Sequence, residues 1–154
     1  EEPDFSEFME QYGYDTAAQE VVVNDAYYVD LTSTDTSNLY SYQSLQTVIA
    51  GGGVDVLGAD EMVFENLAQS GAIADLAQYF SKDELEQLKD YIFYVEDKDT
   101  GDTFAAGIRL GAGSWPVEHG YYEKECILGI ALGSEHKEAA EQMFRYLLEK
   151  SNLD

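Results

Sequence analysis

The stretch over residues 45–64, LQTVIAGGGVDVLGADEMVF, places the strongest constraint on the fold. Apolar residues at helical spacing stop at three successive glycines, and the short apolar run VDVLG then predicts a buried strand. Asp60 is placed to cap a following helix. A helix–strand–helix unit of this kind is a building block of open α/β sheets, in which ligands bind beyond the carboxyl ends of the strands. In this chain that end is residues 58–61.

Helices are predicted on both sides of this unit. Asp4 and Glu7 have the spacing of a capping box, as do Ser81 and Glu84, and a helix is expected from Asn38 to Ala50. Ser134 is expected to cap the last helix. The apolar stripe of the helix after Asp60 is predicted to be Val63, Phe64, Leu67 and Ala68, and that of the last helix Ala140, Met143, Phe144, Leu147 and Leu148.

Strands are predicted from β-branched and apolar runs. QEVVVNDAYYVDL over residues 19–31 predicts one long strand, and YIFYVEDKDTGDTFAAGIRL predicts a hairpin around a polar turn. CILGIAL predicts a last buried strand. Because these runs suit burial on both faces, we expect a mostly parallel sheet. The predicted fold class is therefore α/β: a single domain over residues 1–154, three-layer α/β/α, with a mostly parallel sheet and one β-hairpin.

The charge balance limits the classes of partner. The chain has 31 acidic residues against 8 basic ones, for a net charge of −23. Such a field repels phosphate backbones and anionic membrane surfaces, which argues against nucleic-acid binding and favours cationic or neutral partners. No apolar run approaches the roughly 18 residues of a membrane-spanning helix, and Cys126 is the only cysteine.

No motif predicts catalysis, a metal or a cofactor. Asp97, Asp99 and Asp102 loosely resemble a calcium loop, but the twelve-residue pattern is not in register, and a plain hairpin turn is the favoured interpretation. His119 and His136 lack metal-ligand spacing, and His136 is predicted to be solvated. We therefore expect a non-catalytic protein without cofactor or metal.

Aromatic side chains supply the more suggestive signal, with 12 tyrosines, 7 phenylalanines and 1 tryptophan. Tyrosine and tryptophan offer a stacking surface and a hydrogen-bonding tip, which suits sugars, peptides or a protein partner. Tyr27 and Tyr28 are interpreted as cover for a sheet face. For Trp115, in a glycine-rich segment, a binding role and a core-filling role both stay open.

The order of these pieces resembles a known family. LQTVIAGGGVDVLGADEMVFENLAQSGAIADLAQYF is similar to a stretch of type II extracytoplasmic solute-binding proteins, and IALGSEHKEAAEQMFRYLLEK to their helix after a late strand. AAGIRLGAGSW resembles a short, single-lobe variant found in Gram-positive bacteria. This resemblance implies a periplasmic-binding-protein type II lobe at the cell surface, tethered by a membrane or lipid anchor upstream of Glu1.

The predicted function follows from that fold. We expect a non-catalytic, extracytoplasmic transport-type domain that binds a small solute, such as a sugar or peptide, or a partner at the strand ends. The site walls would be residues 34–37, 58–61 and 114–122. The candidate ligand-binding residues are Asp35, Asp60, Glu61, Trp115 and Tyr121. Asp60 or Glu61 would receive a cation or hydroxyls, and Trp115 or Tyr121 would stack.

The partners expected with this function are a small solute and a membrane transporter or receptor. The alternative is a degenerate lobe that serves as a sensory or protein-interaction domain of a membrane-anchored protein.

Overall fold

A computed structural model describes residues 3–25, 29, 31–151 and 153. The elements in chain order are α1 (Ser6–Gln11), α2 (Thr36–Ala50), β1 (Val56–Ala59), α3 (Glu61–Gln69), a 3-10 helix (Leu76–Gln78), α4 (Lys82–Gln87), β2 (Ile92–Glu96), β3 (Thr103–Leu110), α5 (Trp115–Glu118), β4 (Cys126–Ile130) and α6 (Lys137–Glu149).

The four strands form one sheet in the order β1-β4-β3-β2, and every neighbouring pair is antiparallel. The prediction of a mostly parallel sheet is therefore wrong. The apolar run of β4 is real, since all five of its residues are buried. It is buried because helices cover both faces of the sheet, and burial on two faces does not depend on strand direction.

Residues of β4 alternate between two core clusters. Cys126, Leu128 and Ile130 join the cluster with α1, the 3-10 helix and α6, whereas Ile127 joins the cluster with α2 and α3. A β-bulge in the β2–β3 pairing, between Phe93 and Tyr94, shifts the register by one residue.

Two glycines of the sheet make room for Phe64 of α3. A Cβ atom would lie 2.7 Å from the Phe64 ring if placed on Gly107, and 2.6 Å if placed on Gly129. The ring of Phe64 is fully buried and meets Phe93 edge-on at 5.9 Å between centroids. The glycines thus form a floor that lets α3 approach the backbone of the sheet closely.

The strand predicted over residues 19–31 is not formed where the structure describes it. Residues 19–25 and 29 lie outside every strand, and 74% of Val22 is exposed. Residues 26–28 and 30, which include Tyr27 and Tyr28, lie outside the described residues. β-Branched residues fit a half-buried pleated surface, and their preference is weak where no neighbouring strand supplies one.

Several local predictions are confirmed. Asp60 caps α3, Ser81 and Glu84 form a capping box at α4, and β2 and β3 form the expected hairpin. The capping box at α1 and the cap by Ser134 are wrong. Asp4 accepts hydrogen bonds from Ser6 instead, and residue 136 is the N-cap of α6.

Candidate functional site

The end of β1 was predicted to form one wall of the site, and Asp60 lies there as a helix cap. Its carboxylate accepts a hydrogen bond from the backbone N–H of Val63 at 2.9 Å. That bond satisfies one of the N–H groups that a helix leaves unpaired in its first turn. Because the sheet is antiparallel, the carboxyl end of β1 adjoins the amino end of β4 rather than other carboxyl ends. The geometry that gathers ligand-binding loops in parallel sheets is therefore absent here.

Glu61 is engaged by an arginine that no sequence motif indicated. Arg109 on β3 donates to Glu61 at 2.5 Å and to Glu125 at 3.1 Å, and its guanidinium lies 5.5 Å from the centre of the Phe93 ring. The hydrogen bond to Glu61 raises the pKa of Arg109, so the guanidinium stays charged throughout the physiological range. A cationic ligand would have to displace Arg109 from Glu61.

The sequence feature that could have predicted this cluster of charges is the arginine itself. Arg109 interrupts the apolar run of β3, and a charged residue in a buried strand normally has an opposite charge within reach. Its acidic partners lie 48 and 16 positions away along the chain, so the sequence does not identify them.

The half-buried Tyr122 and the buried Cys126 lie beside Gly58 of β1. Burial raises the pKa of the Tyr122 hydroxyl well above its usual value and raises the pKa of the Cys126 thiol to about 12. Both groups therefore stay protonated near neutral pH. Neither acts there as a base or as a thiolate nucleophile.

Trp115 and Tyr121 are brought together, but their rings face each other. Their ring centroids are 5.7 Å apart in a stacked arrangement, and His119 stacks on Trp115 at 4.1 Å. Phe5 of the N-terminal segment lies 5.5 Å away. The indole is also anchored through its backbone, because the N–H of Trp115 donates to Ser151 at 3.0 Å. This arrangement favours the core-filling role of Trp115, since the protein's own rings occupy its surface.

Asp35 is the N-cap of α2. Its carboxylate accepts a hydrogen bond from the backbone N–H of Ser37 at 2.9 Å, and this bond holds the pKa of Asp35 below its usual value. The hydroxyl of Ser33 accepts a hydrogen bond from the backbone N–H of Asp35 at 3.1 Å. The five candidate residues thus serve two helix caps, one ion pair and one aromatic stack.

A cluster at the opposite end of the sheet contains aspartate, serine and histidine. The hydroxyl of Ser134 donates to Asp55 at 2.6 Å, and Nδ1 of His136 lies 3.3 Å from the same carboxylate oxygen. A catalytic serine needs its hydroxyl on the imidazole, which takes the proton. Here both groups bind the carboxylate, so the cluster fixes the turn before α6. His136 is solvated as predicted, with 66% of its side chain exposed.

Metal binding finds no support in the described part of the chain. No group of three or more His, Cys, Asp or Glu side chains there is arranged to hold a metal ion. In the acidic turn between β2 and β3, the carboxylate of Asp97 accepts hydrogen bonds from the backbone N–H groups of Asp99 and Thr100. These residues form a hairpin turn, as the favoured interpretation predicted.

Two surface hollows among the described residues lie away from the predicted site. The first, of about 310 Å³, is lined by Phe80, Glu84, Gln87, Leu88, Tyr91 and Leu153. Its acid, Glu84, is held by Arg145 at 2.5 Å. The second, of about 410 Å³, is lined by Tyr40, Gln43, Ser44, Thr47 and Val48, all of them on α2.

The helix α2 differs from the rest of the surface in its charge. Its sequence, TSNLYSYQSLQTVIA, contains no Asp, Glu, Lys or Arg, although 25% of the chain is charged. Leu39 and Tyr40 on its outer side are 53% and 66% exposed.

Comparisons with known proteins add no relative. No protein-family model, no curated protein and no solved structure matches this chain. The resemblance to solute-binding proteins therefore stays a prediction. Within the described residues, no helix combines the length and apolar character needed to cross a membrane.

Proposed function

We propose that this chain is a non-catalytic protein-interaction domain that binds a cationic partner. The observation that carries the proposal is the excess of acid: the net charge is −23, so most carboxylates have no lysine or arginine available in the chain itself. Charge of one sign steers an oppositely charged partner toward the surface and speeds association.

The residues of the predicted solute site already make contacts within the protein, and this supports an interaction domain over a domain that captures a small solute. Asp35 and Asp60 cap helices, Glu61 pairs with Arg109, and Trp115 stacks with Tyr121. A small ligand would have to break one of these contacts before forming its own. Neither hollow supplies an enclosed alternative, since binding sites for small molecules normally bury roughly 70% or more of the ligand.

An extracytoplasmic location and an anchor upstream of Glu1 complete the proposal. Both rest on the family resemblance of the sequence, and they would place the acidic surface where a secreted or membrane-bound partner can reach it.

A thermal-shift experiment separates the interaction domain from a solute-binding domain. The folded chain is heated with sugars, amino acids, divalent ions, a lysine-rich amphipathic peptide and the same peptide with glutamate in place of lysine. A specific ligand at 100 times its Kd stabilises the folded state by about 2.7 kcal/mol. We expect a rise in Tm with the lysine peptide alone.

The salt dependence provides the second readout. At 0.5 M salt the Tm shift should shrink, because screening shortens the range of charge interactions to a few ångströms. A rise in Tm with a neutral sugar or amino acid, and none with the lysine peptide, would overturn the proposed function in favour of solute binding.

A further inference from the structure

We propose that the outward face of α2 is the docking surface, and that its occupant is an amphipathic helix of another protein with an uncharged stripe and basic residues at both ends. This inference rests on the proposed function and specifies its site. The outward face is defined here by Leu39, Tyr40, Gln43, Ser44 and Thr47.

The composition of this face is that of an interface core. Charged residues are depleted, and tyrosine enriched, at the centres of protein–protein interfaces. On a chain with a net charge of −23, a helix of 15 residues without a single charge is a marked departure from the remaining surface. Its outer side keeps Leu39 and Tyr40 in water although the chain has a well-buried core elsewhere.

The shape of the face suits a helix better than a small molecule. The hollow is lined by Tyr40, Gln43, Ser44, Thr47 and Val48, which follow the i, i+3, i+4, i+7, i+8 spacing of a single helix. One helix alone cannot enclose a ligand, so a small molecule would stay largely in water. Rows of side chains at this spacing form the ridges and grooves into which a second helix packs.

Carboxylates lie near both ends of α2. Asp35 caps the N-terminus of α2, and the side chain of Glu135 lies 2.9 Å from where a Cβ atom on Gly52 would be, just beyond the C-terminus. Asp55 adds a carboxylate near Glu135, shared with Ser134 and His136. With a rise of 1.5 Å per residue, α2 is about 22 Å long. A partner helix of about 15 residues with lysine or arginine at each end therefore matches both the length and the charge.

A second copy of this chain fits the face less well. The strip is about 22 Å long and 10 Å wide and covers roughly 200 Å², far below the area of about 800 Å² per partner in a standard interface, so any complex on this face alone is transient and charge decides between the occupants. Two copies would also bring together net charges of −23 each. A basic helix gains from the same field that opposes a second copy, so we expect a transient complex with a Kd of roughly micromolar order.

The test uses a fluorescein-labelled helical peptide of 16 residues, with a leucine, alanine and serine stripe and two lysines at each end. Its binding to the whole chain is followed by fluorescence anisotropy at low and moderate salt. In the Leu39→Ser/Tyr40→Ser variant we expect the Kd to rise about tenfold, since both substitutions remove exposed apolar area at the centre of the contact.

The charged ends are tested with Asp35→Asn/Glu135→Gln. Asparagine caps helices as well as aspartate does, so α2 stays intact while the charges are removed. Each exposed ion pair is worth less than about 1 kcal/mol, so we expect a rise in Kd of about threefold and a shallower salt dependence.

Matched controls lie on other surfaces. Tyr94→Ser removes a tyrosine that is 55% exposed on β2, and Glu10→Gln/Glu149→Gln removes two exposed charges on α1 and α6. Each control should change the Kd by less than about twofold. Circular dichroism verifies that every variant is folded.

The outcomes separate this inference from the proposed function. If the peptide binds and the α2 variants behave like the controls, the docking surface is refuted while the cationic-partner function stands. If the peptide does not bind at millimolar concentration, the inference is overturned, and a neutral solute that raises the Tm would overturn the function as well. Dimerisation in sedimentation runs that depends on Leu39 and Tyr40 would assign the face to a second copy instead.

Discussion

Helices α2 and α3 pack on the same face of the sheet, yet they are used very differently. The nine residues of α3 bury Val63, Phe64, Leu67 and Ala68, whereas the 15 residues of α2 bury Ile49 alone. Tyr42 and Leu45 of α2 are only partly buried against the shared cluster. The longer helix therefore contributes less to the core, because the glycine floor of the sheet lies under α3.

The largest expected effect comes from the centre of that contact. Phe64→Ala should lower the free energy of unfolding by about 3–5 kcal/mol, since it leaves a cavity above Gly107 and Gly129. Tyr40→Ala on the outer side of α2 should cost less than about 0.5 kcal/mol. Urea denaturation of both variants measures the contrast. Equal losses would show that α2 is as deeply integrated as α3.

The glycine floor can be tested from the sheet side. Gly129→Ala should destabilise by about 1–3 kcal/mol, because the new methyl group collides with the Phe64 ring. Gly111→Ala is the matched control, as its nearest neighbour is a carbonyl oxygen 4.0 Å from the new Cβ. In a double-mutant cycle, Phe64→Leu should recover part of the loss at Gly129. Independent, additive losses would argue against the close contact.

An aspartate caps both helices, so the effect of the same substitution can be compared in α3 and in α2. Asp60→Ala should lower the global stability by about 1 kcal/mol, because α3 is part of the core. Asp35→Ala should mainly fray the first turn of α2 and change the global value by less than about 0.5 kcal/mol. Amide hydrogen exchange detects the difference. Slower exchange in α2 than in α3 would reverse the comparison.

The smallest expected effect is a pH-dependent change in stability, and it arises from a charged residue of α6 rather than from the uncharged α2. Arg145 of α6 donates to Glu84 of α4, and this hydrogen bond lowers the pKa of Glu84 from 4.5 to about 2. A lowered carboxyl pKa adds stability that is present above pH 4.5 and is lost as the pH falls through about 2. Since 40% of Glu84 is exposed, screening limits the gain to less than about 1 kcal/mol.

The variant Glu84→Gln isolates the stability that the Glu84 charge contributes, because glutamine keeps the capping bond to Ser81 and loses the charge. Relative to the unsubstituted protein, the variant should be less stable at pH 7 and equal to it near pH 2, as measured by denaturation across that range. Glu86→Gln removes an exposed carboxylate that pairs with Lys89 and serves as the control. An unchanged difference from pH 7 to pH 2 would contradict the assignment.

Much of the local structure was predictable from neighbouring residues. The stripe of α3, the capping box at Ser81 and the hairpin of β2 and β3 depend on side chains a few positions apart, and all are confirmed. The direction of the strands was not predictable in this way. A buried strand has the same composition in a parallel and an antiparallel sheet when helices cover both faces.

The candidate site was only partly predictable, for a related reason. The position of Asp60 before α3 identifies it as a cap, but nothing local indicates that Glu61 meets Arg109. The stack of Trp115 on His119 and Tyr121 joins residues of one segment, but the contact of Trp115 with Phe5, 110 positions earlier in the chain, is not indicated by the local sequence.

The sequence by itself determined the acid excess, the helix boundaries at Asp60 and Ser81, and the uncharged character of α2. These properties reside in composition or in contacts within one helical turn. Only the tertiary structure decided which helix is buried, since α3 lies over Gly107 and Gly129 while the outer face of α2 stays in water. Burial depends on what the sheet places opposite each helix, and strands far apart in the chain build that surface.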